Sequence, residues 1–113
     1  MTRVKICGLT TVADAQAAAA AGADMIGFVF APSPRQVDAA QAARIAAALP
    51  PFILRVGVFV DADYDTICRT AAQARLDALQ LHGSESNALL ERLRRDGHRV
   101  IKAVRVRDEA SLD

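Results

Sequence analysis

Short β-type runs alternate with alanine-rich helical stretches along the chain, and no other feature limits the fold so tightly. The β-type runs cover residues 4–7, 25–30, 53–60, 76–81 and 100–106, and residues 12–21, 38–49, 64–74 and 86–95 lie between them. Strands separated by helices of this length form βαβ units, whose strands pair in parallel. Runs 25–30 and 53–60 carry almost no polar residue, as expected of strands covered by helices. The punctuation agrees. Thr11-Val12-Ala13-Asp14 can act as a capping box, and Gly22 closes that helix. Asp38 is a natural N-cap for the second helix, which Pro50-Pro51 ends. Ser84 and Ser86 are candidate caps for the fourth helix, and Gly97 ends it.

The 52% of hydrophobic residues can fill a packed core, and the 24% of charged residues is too few for disorder. Fourteen Lys+Arg against thirteen Asp+Glu leave a formal charge of +1, with no basic patch or acidic tail. That argues against a nucleic-acid or membrane-surface protein. Two cysteines, Cys7 and Cys68, cannot build a disulfide framework, so a reduced cytoplasmic setting is expected. No apolar run reaches the roughly 18 to 20 residues of a membrane-spanning helix, and the N-terminus lacks the apolar core of a signal peptide. The expectation is a soluble α/β chain whose residues 1–113 form a single domain.

The count of units leaves two architectures open. There are about four complete βα units plus a fifth strand. An open five-stranded doubly wound domain of flavodoxin-like order 2-1-3-4-5 could finish near this length. A (β/α)8 barrel needs roughly 200 residues or more. The open-domain alternative would also need a phosphate or flavin loop after the first strand, yet Cys7-Gly8-Leu9-Thr10-Thr11 is poor in glycine.

In parallel α/β proteins, functional groups collect at the carboxyl ends of the strands. Those positions hold Cys7-Gly8, Ala31-Pro32-Ser33-Pro34-Arg35, Asp61 and His82-Gly83. Strand side chains alternate faces with period two, so Lys5 and Cys7 share one face while Val4 and Ile6 share the other. In the fourth run Gln80 and His82 share one face and Leu79 and Leu81 the other. Polar residues on a covered face are costly without partners, so two strands doing this near their carboxyl ends suggest a site.

Five segments carry a resemblance. Lys5-Ile6-Cys7-Gly8-Leu9-Thr10, Gly22-Ala23-Asp24-Met25-Ile26-Gly27-Phe28-Val29-Phe30, Ser33-Pro34-Arg35-Gln36-Val37, Val56-Gly57-Val58-Phe59-Val60 and Leu79-Gln80-Leu81-His82-Gly83-Ser84-Glu85 stand in order and at the right spacing. With them the chain resembles the phosphoribosylanthranilate isomerases of tryptophan biosynthesis over essentially its whole length. The resemblance implies a (β/α)8 TIM barrel, of which this chain would hold the first four βα units and a fifth strand. It implies an Amadori rearrangement of a phosphorylated sugar–anthranilate substrate with no cofactor or metal. The family's general base, the cysteine of its lysine-isoleucine-cysteine-glycine motif, falls on Cys7. Its anthranilate-contacting arginine falls on Arg35, and the site-lining glutamine and histidine fall on Gln80 and His82. The family's general acid, an aspartate after the sixth strand, and its Gly-rich phosphate loops have no counterpart before Asp113. The chain is therefore expected to be an N-terminal half-barrel, inactive alone, with exposed strand edges through which two copies could pair.

Each residue also has a plainer reading. Cys7 alone would be a small buried hydrophobe, but Lys5 on the same face and the motif turn it toward a catalytic thiolate. Arg35 could be a solvated loop residue, although its fork suits the anthranilate carboxylate. Lys5 reads either as substrate-binding or as the partner of a carboxylate inside the barrel. Asp61 reads as a helix N-terminal residue, Cys68 as structural with no polar company, and His98 as a turn residue without function. Arg92, Arg94 and Arg95 read as a solvated face in the last turn of a helix. Phe59 or its neighbours are expected on the face meant for the barrel interior.

Overall fold

In the computed structural model, which describes residues 4–102, the five runs form one parallel sheet in chain order. The elements are β1 (Lys5–Cys7), α1 (Val12–Ala20), β2 (Met25–Val29), α2 (Ala39–Ala47), β3 (Leu54–Phe59), α3 (Tyr64–Ala74), β4 (Ala78–Leu81), α4 (Asn87–Arg95) and β5 (Val100–Lys102). Every expected element within these bounds is present, some one to three residues shorter; residues 103–106 of the last run lie outside the described residues. The consecutive order β1-β2-β3-β4-β5 excludes the flavodoxin-like alternative, in which β1 would sit between β2 and β3.

Each helix starts on a side chain that accepts a hydrogen bond from a backbone N–H three residues on. Thr11 accepts from Asp14, Asp38 from Gln41, Asp63 from Thr66 and Ser86 from Leu89. These caps satisfy donors that the first helical turn leaves open. The α3 cap is Asp63, not Asp61. Asp61 instead takes a left-handed conformation, φ 54°, one residue beyond Val60, and so falls outside the helix it was expected to begin.

The apolar faces of the helices pack on one side of the sheet in two clusters. Ala15, Ala18, Ala42 and Ile45 cover Ile26 and Phe28, with Ile6 packed alongside. Ile67, Ala71, Leu90 and Leu93 cover Phe59, Leu79 and Leu81. The stacked pair Phe30–Phe59, centroids 5.2 Å apart, joins the clusters. The many alanines let α1 and α2 sit close to the sheet, at a cost in apolar area that the larger strand residues recover. Phe59 therefore belongs to the helix side, and its neighbour Val58 is the one on the face meant for the barrel interior. The register, with Val58 beside Gln80 and Val56 beside Ala78, puts Val56 and Val58 on the other face.

That other face is concave. The Lys5 ammonium on β1 donates a hydrogen bond to Gln80 Oε1 on β4. Three strand spacings would separate these strands by roughly 14 Å along the sheet, so the pair closes across a curled surface. Curvature also explains why Val56 and Val58 are buried, 1% and 8% exposed, on a face no described helix covers.

Candidate active site

The carboxyl ends of β1, β2 and β4 bring the expected polar residues to one rim. On β1, Cys7 is half-buried on the concave face with Lys5. Its neighbour in register is Gly27 on β2. A Cβ built at Gly27 would lie 2.8 Å from Cys7 Sγ and 3.3 Å from Cys7 Cα, so the absence of a side chain there makes room for the thiol. Lys5 pairs with the neutral Gln80 amide rather than with a carboxylate. His82 follows β4 on the same face by the two-residue period, and its N–H donates to Phe59 O at 2.9 Å, prolonging the β3–β4 ladder.

Arg35 comes from the loop between β2 and α2, which folds back on β2. Gln36 bridges to Val29, the Val37 N–H donates to Val29 O at 2.9 Å, and the Arg35 N–H donates to Ser33 Oγ at 3.0 Å. The turn carries the exposed Arg35 over Gly8, the residue after Cys7. A Cβ at Gly8 would fall 2.8 Å from Arg35 Cδ. Gly8 also has φ +84°, which glycine adopts without strain, so two requirements meet at one position. Among the described residues Arg35 has no carboxylate partner, leaving its guanidinium fork open for an external one.

The sequence reading missed two residues beneath this rim. Glu85, whose side chain is 1% exposed, accepts from the Gly83 N–H and Lys102 Nζ at Oε1 and from the Asp61 N–H at Oε2, all at 2.8 Å. Burial alone would raise the Glu85 carboxyl, but the Lys102 ammonium and the N–H groups of Asp61, Glu85 and Gly83 hold it below its usual range. Lys102 also donates to Gly83 O, and Asp61 Oδ1 accepts from the Ser84 N–H at 2.7 Å. No sequence signal marked the pair: Glu85 and Lys102 stand 17 positions apart, and only the fold brings them together.

Other expectations need correction. Cys68 has polar company, with its Sγ 3.7 Å from His98 Nε2. Arg92 is not merely solvated, because its guanidinium lies 3.6 Å from the Tyr64 ring centroid, and Arg94 donates to Val100 O. A cleft of 520 Å³ near Arg55, Gln73 and Asp77 opens at the amino ends of the strands, away from the rim. There Arg55 donates to Ile53 O and Ala46 O, closing the end of α2, which accounts for the charge without a ligand. No described helix is long and apolar enough to cross a membrane.

Consecutive parallel βα units curled into a concave sheet, with polar side chains at the carboxyl rim, define a partial barrel of the (β/α)8 enzyme class. The family model for N-(5'phosphoribosyl)anthranilate (PRA) isomerase matches residues 4–113. The chain belongs to that family. An N-(5'-phosphoribosyl)anthranilate isomerase of Geotalea uraniireducens (strain Rf4) is 54% identical over 114 residues, covering 100% of this chain and 55% of that protein. One from Rubrobacter xylanophilus is 50% identical over 113 residues, 99% of this chain and 55% of its own length. The crystal structure of phosphoribosyl anthranilate isomerase from Thermotoga maritima superposes with a TM-score of 0.91 at 44% identity, covering 99% of this chain and 55% of that one. A phosphoribosyl anthranilate isomerase in complex with reduced 1-(o-carboxyphenylamino)-1-deoxyribulose 5-phosphate gives the same score and identity over 99% and 58%. The chain spans about half the length of the curated relatives it matches.

Proposed function

We propose that these residues form the N-terminal half of the barrel of an N-(5'-phosphoribosyl)anthranilate isomerase. The reaction is the Amadori rearrangement to 1-(2-carboxyphenylamino)-1-deoxyribulose 5-phosphate in tryptophan biosynthesis. The observation that supports this reading is the shared concave face of Lys5, Cys7 and Gln80, with Lys5 bonded to Gln80 and Arg35 lying over Gly8 next to Cys7. A general acid from the other half of the barrel protonates the ribose ring oxygen, and the ring opens to a Schiff base. The Cys7 thiolate removes the C2 proton, the electron pair moves into the C1–C2 bond, and the resulting enolamine tautomerises to the ketone. Arg35 holds the anthranilate carboxylate, while Lys5, Gln80 and His82 line the site. Residues 1–113 alone hold the base without the acid and are read as inactive. A cytoplasmic setting fits the two free thiols.

Kinetics of the complete enzyme test the assignments. Cys7→Ser is expected to lower kcat by about 10²-fold or more with the fold intact; near-normal turnover would remove Cys7 from the mechanism. Arg35→Ala is expected to raise KM well above any effect of Arg92→Ala. Equal effects of the two on substrate affinity would refute the carboxylate role.

A further inference from the structure

Gly83 is gripped from both sides. Its N–H donates to Glu85 Oε1, and its carbonyl accepts from Lys102 Nζ, which in turn is paired with the same Glu85 oxygen at 2.8 Å. The second Glu85 oxygen accepts from the Asp61 N–H, and the Asp61 carboxylate accepts from the Ser84 N–H. The loops after β3 and β4 and the end of β5 thus meet on one buried carboxylate. The room is tight: a Cβ at Gly83 would lie 2.6 Å from Asp61 Oδ1. Asp61 accepts a left-handed backbone, φ 54°, to present its N–H, and such strain persists where the surroundings over-determine it. A buried ion pair is a poor source of net stability, because desolvation offsets its attraction. What this arrangement supplies is a fixed direction for the Gly83 peptide, and hence for His82, whose own N–H is fixed on Phe59 O.

We propose that Glu85, held by Lys102, is a positioning residue that acts through His82 by clamping the Gly83 peptide at the rim. The proposal rests on the isomerase reading and deepens it: Glu85, buried beneath the rim, sets the angle at which His82 meets the substrate. The test is a double-mutant cycle in the complete enzyme. With His82 present, Glu85→Gln is expected to lower kcat/KM by roughly ten- to a hundredfold, the scale of a small misplacement. With His82→Ala already in place, the same change is expected to cost less than about twofold, because the residue it acts through is gone. Equal losses in the two backgrounds would overturn the proposal, since a purely structural defect does not depend on His82. Lys102→Met, run through the same cycle, decides the matter if Glu85→Gln fails to fold, because the Lys102 side chain is 31% exposed and tolerates replacement better. An inactive parent enzyme would sink the isomerase reading instead. The clamp is then judged by amide exchange, where Lys102→Met must speed exchange at Gly83 and Ser84 by about tenfold or more while α1 is unchanged. Unchanged exchange there would refute it.

Discussion

At the scale of single residues, the clearest electrostatic consequence lies away from the rim. The Tyr64 hydroxyl donates to Asp96 Oδ2. That hydrogen bond, with further contributions from Cys68, burial and the negative charge of Asp96, pushes the Tyr64 phenol up to about 12. Ionising it would place a second negative charge beside Asp96, so the folded state favours the neutral phenol. A folded value above the unfolded 10.0 means that the contribution to stability is complete below pH 10 and is lost as pH rises toward 12. Residues 1–113 contain one tyrosine, so near-ultraviolet absorbance reads it without ambiguity. The expected midpoint is about 12, moving back toward 10.0 in Asp96→Asn. A wild-type midpoint at 10.0 would contradict the Asp96 contact. None of this was legible in the sequence, where Tyr64 and Asp96 stand 32 positions apart. The same holds for Cys68 and His98, and for Glu85 and Lys102. By contrast, Lys5, Cys7, Gln80 and His82 could be placed on one face because an alternating strand marks its two faces with different chemistry.

At the scale of elements, the alternation and the caps carried most of the information. Serine, threonine and aspartate before alanine-rich stretches located the helix starts because a first helical turn needs such an acceptor. The pattern failed after β3, where Asp61 reads as the helix N-terminal residue; the left-handed turn at Asp61 delays the helix, and Asp63 is the cap. It failed again in β3, where apolar residues and glycine fill both faces around a single Arg55, so nothing showed that Phe59 turns toward the helices. The cap assignment has a measurable consequence. Asp63→Ala is expected to lower the midpoint of a denaturant titration, through the loss of an N-cap acceptor. Asp65→Ala, which removes only a first-turn charge, is expected to cost less. Equal losses would mean that the Asp63 side chain contributes only its charge and not the hydrogen bond to Thr66.

At the scale of the whole molecule, the curl of the sheet changes what a free 113-residue chain is expected to do. A flat sheet would bare an entire apolar face. Here the curl already buries Val56 and Val58, so the centre of the concave face needs little further cover. Open edges remain at the two ends of the sheet, where β1 and β5 each have a neighbour on one side only among the described residues. Val4 beside β1 and Ile101 on β5 are 46% and 49% exposed. An open parallel edge presents unpaired backbone donors and acceptors, and parallel sheets are ordinarily buried on both faces and closed or covered at their edges. In a complete barrel, further strands would occupy both edges. Without them, two copies could pair edge to edge under a twofold axis and satisfy both at once. The 113-residue chain is therefore expected to form a dimer or larger species at micromolar concentration and to show no isomerase turnover. Light scattering and an activity assay on the same sample check both parts. Adding a separately expressed C-terminal half is expected to compete for those edges and restore activity, because it would bring both the missing strands and the missing acid. A monodisperse monomer of residues 1–113 that turns over substrate would refute the half-barrel reading. A monomer without activity would show instead that the curled sheet tolerates its open edges, and would move the case for closure from the edges to the chemistry at the rim.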